Sequence, residues 1–316
     1  GSFLEGFDDL TGEVGIATVS AYGDTSTDSW RGTWSAGGAM INSRSRTAGA
    51  GTNNAALAMS SPSSTVTEEY NGTSWSEGGA GITANAYSIG RGTQNAAIGV
   101  HAATPAPVAG VEEYNGSTWA AGATTTSGHG SAAATGGGAG TQNATLIYGG
   151  SPVVAAYKCT EEYDGTSWTN KAGLALGGGL MLGFGSVNAA MQAGSHPSHF
   201  DDSCTQAYDG SSWSIAAALG TGRAYGKGSG VSQNVGIASA GDMGGYTEHY
   251  DGTVWSYGTM SPMNDASYYG GWTYLSTTSN NSGNSILQYG GSGGASPFSA
   301  ICTDAYTAYD PKVELT

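Results

Sequence analysis

The least repetitive polar stretch of the chain is Ser195-His-Pro-Ser-His-Phe-Asp-Asp202. His196 and His199 offer imidazole nitrogens, and Asp201 and Asp202 offer hard carboxylate oxygens, so a loop-held metal is a conceivable use for them. A structural zinc site needs four convergent ligands, which two histidines three apart on a loop do not supply. The reading is an exposed polar loop with no resident metal and no cofactor. Paired carboxylates recur at Glu68-Glu69, Glu112-Glu113 and Glu161-Glu162, residue types that suit general acid–base work. Neighbours on a strand point to opposite faces, however, and three copies make three equal positions. They are expected to be structural, and no catalytic residue is assigned. His249 replaces the second glutamate in its copy, and His101 and His129 fall in variable connections with no visible partner.

These residues are embedded in a repeat. EEYNGTSW ends at Trp75, EEYNGSTW at Trp119, EEYDGTSW at Trp168, QAYDGSSW at Trp213 and EHYDGTVW at Trp255, with a degenerate SWRGTW ending at Trp34. Upstream of these lie GTNNAALAMS, GTQNAAIGV, GTQNATLIYGG and GVSQNVGIASAG, with weaker copies GSVNAAMQAG and SGNSILQYGG. Each unit reads as four short strands: a small-residue strand, a turn, an apolar strand, then a polar–aromatic strand joined to a Trp strand. The last two are joined by a two-residue Asn-Gly or Asp-Gly turn, for which positive φ at both positions is expected. That turn chemistry also accounts for Asn71-Gly-Thr and Asn115-Gly-Ser, which otherwise match a glycosylation acceptor. Four-stranded units of about 40–50 residues are the signature of propeller blades. The apolar strand occurs near 14–20, 54–60, 95–100, 144–150, 188–193, 233–240 and 284–290. The expected fold is an all-β propeller of seven four-stranded blades, with six as the alternative. It is read as one domain over 1–316, with units ending near 34, 75, 119, 168, 213, 255 and 310. Cys159 and Cys204 occupy equal positions one blade apart, too far for a disulfide, and are read as buried free thiols.

The double glycines Gly149-Gly150 and Gly290-Gly291, followed by Tyr163 and Trp168, resemble the kelch repeat. That resemblance implies a kelch-like propeller related to the central domain of galactose-oxidase-like proteins, over about residues 14–310. The wording AGAGTQNAAL…TEEYDGTSWT is similar to repeats in structural and tail-fibre proteins of marine bacteriophages, notably those of cyanobacteria. It implies a virion or extracellular location, with other virion subunits and a host-surface polysaccharide as partners.

In a propeller, the turns between the first and second and the third and fourth strands share one face. Here those turns are nearly invariant, whereas the connections opposite them differ in every unit, and binding groups ride on such loops. The candidate ligand-binding residues on that variable face are Tyr157, His196, His199, Phe200, Asp202, Met243, Tyr246 and Phe298. Aromatics with short acids can stack on and hydrogen-bond a sugar. The functional expectation is a non-enzymatic binding propeller in a virion fibre or similar assembly, recognising a host glycan or a neighbouring subunit. A carbohydrate-active enzyme of the galactose-oxidase-like class and a purely architectural decoration are the alternatives. Against the enzyme, the cysteines all keep the repeat phase. A sialidase-like grip also needs three arginines, whereas the chain has only Arg31, Arg44, Arg46, Arg91 and Arg223.

Bulk composition bounds the rest. Of 316 residues 55 are glycine, and the net charge is -15 with only 9 Lys and Arg, so nucleic acid is not an expected partner. No apolar run approaches the roughly 18 residues that span a bilayer, so membrane insertion is not expected. The chain opens at Gly1 rather than Met, which leaves room for a native start upstream.

Overall fold

A glycine on each side of one variable residue recurs in five units: Gly49-Ala50-Gly51, Gly90-Arg91-Gly92, Gly138-Ala139-Gly140, Gly183-Phe184-Gly185 and Gly228-Ser229-Gly230. The structure is a computed structural model that describes residues 31–42, 44, 47–59, 61, 64–84, 89–101, 110–127, 129, 136–150, 158–195, 203–224, 226–239, 241, 246–258, 276–277, 285–289 and 303–309. Each of the five tripeptides lies in an edge strand of a separate antiparallel sheet, and successive edge strands adjoin one another.

After a first strand β1 (Arg31–Ala36), blade 1 comprises β2 (Gly49–Thr52), β3 (Ala55–Ala58), β4 (Glu68–Tyr70) and β5 (Trp75–Glu77). Blade 2 is β6 (Ile89–Thr93), β7 (Ala96–Val100), β8 (Val111–Tyr114) and β9 (Trp119–Ala121). Blade 3 is β10 (Gly137–Thr141), β11 (Ala144–Tyr148), β12 (Thr160–Tyr163) and β13 (Trp168–Lys171). Blade 4 is β14 (Leu182–Ser186), β15 (Ala189–Ala193), β16 (Thr205–Tyr208) and β17 (Trp213–Ile215). Blade 5 is β18 (Lys227–Ser232), β19 (Val235–Ser239), β20 (Thr247–Tyr250) and β21 (Trp255–Tyr257). The remaining strands, β22 (Ser276–Thr277), β23 (Ser285–Tyr289) and β24 (Thr303–Tyr309), join β1 in a composite sheet ordered β1-β24-β23-β22. That sheet meets blade 5 through Ile286 against Ile237, and blade 1 through Leu287 and Tyr289 against Tyr70 and Trp75. It therefore closes the ring. No α-helix occurs among the described residues, and none is long and apolar enough to cross a membrane.

The architecture is an all-β propeller, but the expected count of seven, or six, is corrected: five blades consist of four consecutive strands. The Trp34 strand does not end a blade of its own. It pairs with β24, placing Trp34 opposite Tyr306, and so supplies the outer strand that the C-terminal unit lacks. The segment near 14–20, counted as the first apolar strand, lies outside the described residues.

The inner glycines are there because the strands nearly touch. A Cβ on Gly90 would stand 2.6 Å from the Gly49 carbonyl oxygen, and one on Gly183 would stand 2.7 Å from that of Gly138. Neither distance is tolerable, so only glycine lets neighbouring blades close to this separation. One strand outward, Leu57, Ile98, Leu146, Met191 and Ile237 are all fully buried, each worth roughly 1.5–3 kcal/mol in apolar transfer. The repeated Trp packs on the Tyr of its own hairpin and on the preceding sheet, as in Trp213 on Tyr148 at 4.7 Å between ring centroids. Its indole also donates across that boundary, Trp213 to Thr160 Oγ1 at 3.1 Å. Gln94 and Gln142 in the first turns reach back to the preceding blade, Gln142 donating to the Ala97 and Tyr114 carbonyls.

The Asn-Gly and Asp-Gly turns differ from the expected two-residue form. Tyr70 pairs with Trp75, so four residues connect the strands, and only the glycine has positive φ, +91° at Gly72 and +92° at Gly165. Asn71 and Asp164 are selected instead for a side-chain oxygen. Asp164 Oδ1 accepts the Thr166 and Ser167 backbone N–H groups at 2.8 Å, and Asn71 Oδ1 accepts the equivalent pair at 2.9 Å.

Candidate functional site

The third strand of each blade begins with an alternation that the sheet converts into two environments. Glu68, Glu112, Glu161 and Glu248 are buried, and so is Gln206 at the same position, whereas the following residues Glu69, Glu113 and Glu162 are less buried. Each buried carboxylate accepts two successive backbone N–H groups from the loop leading into its blade. The pairs are Ile41 and Asn42 on Glu68 (both 2.9 Å), and Ile82 and Thr83 on Glu112 (both 2.9 Å). Thr126 and Ser127 bind Glu161 (both 2.7 Å), and Gly220 and Thr221 bind Glu248 (2.6 and 3.1 Å).

A basic side chain completes each clamp, and the same residue also holds the base of the variable loop. Arg44 pairs with Glu68 and donates to the carbonyls of Met59 and Val66, on either side of one loop. Arg223 pairs with Glu248 and donates to the Tyr246 carbonyl at 2.7 Å. His129 lies 3.0 Å from both Glu161 Oε1 and the Gly149 carbonyl. The His101 ring lies 3.1 Å from Glu112 Oε1, and the His101 backbone N–H donates to the Gly110 carbonyl at 2.9 Å. Burial alone pushes the Glu112 and Glu161 carboxyls up. The hydrogen bonds from His101 or His129, the loop N–H groups and the imidazole charge outweigh it and hold both below the ordinary carboxylate range.

Blade 4 does the same job without charge. Gln206 Oε1 accepts the Leu176 N–H and its Nε2 donates to the Leu176 carbonyl and to Gln192 Oε1, each at 2.8 Å. Gln192 then donates to the Gly194 carbonyl.

The second glutamates work between blades. Tyr114 donates to Glu69 at 2.6 Å and Tyr163 to Glu113 at 2.5 Å. Burial, then the bonded carboxylate, pushes both phenols up to about 12. Both rows of glutamate thus hold the scaffold, which is why they recur. His101 and His129, read from the sequence as lacking partners, are corrected: both are buried members of clamps. Arg44 and Arg223 each stand five residues before an inner glycine, Gly49 and Gly228, a signal present in the sequence. Cys159 and Cys204 are not joined in a disulfide, as expected, but they are half-buried rather than buried.

Of the candidate ligand-binding residues, Tyr157, His196, His199, Phe200, Asp202, Met243 and Phe298 lie outside the described residues. Tyr246 is described, 38% exposed on the variable face, with its ring 6.0 Å from that of Tyr257, itself 47% exposed. Thr221 Oγ1 lies 2.8 Å from the Tyr257 hydroxyl and fixes that ring beside the blade 5 clamp. Sequence reasoning missed Tyr257, because it follows the repeated Trp at the end of a strand rather than in a loop. Among the described residues, no group of three or more His, Cys, Asp or Glu is placed to hold a metal. No protein-family model matches the chain, and no curated protein matches it either.

Proposed function

We propose that the chain is a non-enzymatic binding propeller that recognises a host-surface glycan, or a neighbouring subunit, through its variable loop face. One observation carries this reading: loops of unrelated sequence and length are pinned at their bases by one shared device. A scaffold whose loop anchors are constant while the loops vary is suited to recognition. The glutamates that resemble acid–base pairs have their oxygens taken up by protein donors, which leaves the carboxylates in structural use. The Tyr246–Tyr257 pair adds a half-exposed aromatic surface of the kind on which sugars stack.

The finer assignment rests on residue wording. The double glycine, Tyr and Trp resemble a kelch-like repeat, and the turn phrases are similar to those of cyanophage tail-fibre proteins. On that reading the chain is a virion-associated, extracellular protein. A glycan array with the isolated protein tests it. The expected result is saturable binding that weakens at least about tenfold in Tyr246→Ala or Tyr257→Ala and is unchanged in Ser117→Ala, in a turn of the invariant face. Equal binding by all variants overturns the assignment of the face. Oxidation or cleavage of the bound sugar overturns the non-enzymatic reading.

A further inference from the structure

The loop leading into blade 4 runs Leu176-Gly177-Gly178-Gly179-Leu180. Gly179 stands three residues after the first clamped N–H, where blades 1, 3 and 5 carry Arg44, His129 and Arg223. In the other four blades a carboxylate takes two successive loop N–H groups. Gln206 offers a single oxygen, which the Leu176 N–H occupies. The rest of the loop keeps its donors. Among the described residues the N–H groups of Gly177, Gly178, Gly179 and Leu180 have no hydrogen-bond partner, although all four residues are buried. Buried backbone donors are almost always paired, so four in succession call for an acceptor from outside the chain.

A side chain independently repeats the pattern. Ser195, where the variable loop of blade 4 begins, is 3% exposed, and its Oγ is buried with no hydrogen-bond partner. Its Cβ lies 3.1 Å, and its Oγ 3.6 Å, from where a Cβ on Gly178 would stand, so the hydroxyl lies against the glycine run. Gly178 is itself held there, its carbonyl accepting the Gly150 N–H at 3.0 Å. Leu180 has φ +59°, in the left-handed region that leucine rarely enters, whereas the three glycines before it lie outside that region. A change of hand between successive residues turns their N–H groups toward one concavity, which is how bare backbone binds anions. The loop begins near the surface, with Ala175 exposed and Leu176 half-buried. Gln206 also removes the clamp carboxylate that would repel an anion at this place.

We infer that the N–H groups of residues 177–180 and the Ser195 hydroxyl form an oxyanion site at the base of the blade 4 variable loop, taking a carboxylate or sulfate group. Every unpaired group there is able to donate, so the ligand supplies acceptors, and an oxyanion presents several at once. The site is separate from the Tyr246–Tyr257 surface, and its failure leaves the reading of that surface standing.

Nuclear magnetic resonance of the isotope-labelled full chain tests the site, with sodium chloride exchanged for sodium sulfate or sodium glucuronate at constant ionic strength near pH 7. The expected result is a saturable shift of the Gly177, Gly178, Gly179 and Leu180 amide signals with at least one of the two salts. The Ile41 and Asn42 amides, already held by Glu68, should stay in place. Saturation at lower glucuronate than sulfate identifies an acidic sugar as the source of the oxyanion, and the reverse order identifies the free ion. Ser195→Ala is expected to bind at least about tenfold more weakly, the loss of one hydrogen bond to a charged group. In chloride alone it should melt no lower than the parent, because the hydroxyl it removes has no partner. Absence of a saturable shift with both salts, equal shifts at Ile41 and Asn42, or undiminished binding by Ser195→Ala each overturns the inference. So does a clearly lower melting temperature of Ser195→Ala in chloride, which would mean that the hydroxyl already serves the fold.

Discussion

Blades 3 and 4 fasten the same lead-in loop with opposite chemistry. Glu161 can only accept, so it takes two N–H groups and draws a further partner from the His129 ring, 3.0 Å away. Gln206 carries its own donor. It satisfies both the N–H and the carbonyl of Leu176 and closes on Gln192, and no cation is required. The loop before blade 4 accordingly runs Leu176-Gly-Gly-Gly179, without a basic residue. A buried acceptor-only group thus dictates a second residue far away in sequence, whereas a donor–acceptor group frees that position.

The sharpest way to break this comparison is to remove a cation and leave its carboxylate. Arg223→Met strands Glu248, both partners being almost wholly buried, and is expected to destabilise the chain by about 3–5 kcal/mol in denaturant unfolding. The double variant Arg223→Met with Glu248→Gln gives blade 5 the uncharged amide of blade 4, although Ala238 stands where blade 4 has Gln192, and should recover more than half of that loss. A double variant no more stable than the single would mean that the arginine acts through its loop-carbonyl bonds and that the charge is incidental.

The reverse exchange is smaller. Gln206→Glu places an acceptor-only group against the Leu176 carbonyl and Gln192 Oε1, with no cation paired to it among the described residues. A loss of about 1–3 kcal/mol at neutral pH is expected. Burial raises the new carboxyl's pKa in the folded state, so the proton binds there more tightly than in the unfolded chain. Stability should therefore recover as pH falls through that raised value. A variant whose deficit stays constant with pH would contradict the account.

Glu112 and Glu161 carry the opposite sign. Their folded pKa values are depressed, so the stability they supply is complete above the unfolded carboxyl value of about 4.3 and is lost as pH falls through the folded values. Amide hydrogen exchange reads this locally. Protection of the Ile82, Thr83, Thr126 and Ser127 amides should drop in acid, while that of Leu176, bonded to an amide oxygen, should not.

Much of this fold is legible as repeat spacing, because one Trp per unit and a fixed turn force the same hairpin each time. The blade count is not, since pairing of Trp34 with Tyr306 joins residues from opposite ends of the chain. Nor are the clamps visible as motifs. Arg44, His129 and Arg223 precede their glutamates by 24, 32 and 25 residues, and His101 comes from a different connection altogether. Only the sheet, by burying the first glutamate of each pair, shows that a basic partner must be found for it. Most of the candidate ligand face belongs to residues whose only regularity is that they differ, and repetition carries no information there.

The smallest expected effect lies on the invariant face, where the same amide-for-carboxylate exchange occurs in the open. Asn115 and Asp164 hold identical turns through one oxygen that accepts two backbone N–H groups. Water satisfies whatever else the group presents, so no cation is required. Asn115→Asp and Asp164→Asn should therefore leave the neutral-pH unfolding midpoint unchanged, in contrast to Gln206→Glu. They part only in acid. The hydrogen bond from the Thr166 hydroxyl, with those from the Ser167 and Thr166 N–H groups, holds Asp164 down to about 2. Its contribution is present above the unfolded value of about 3.9 and fades as pH falls toward 2, whereas asparagine has nothing to lose. Asp164→Asn should thus tolerate pH 2 slightly better than the parent, measured by circular dichroism on acid titration. A marked neutral-pH penalty for either exchange would show that the turn, like the clamp, depends on charge.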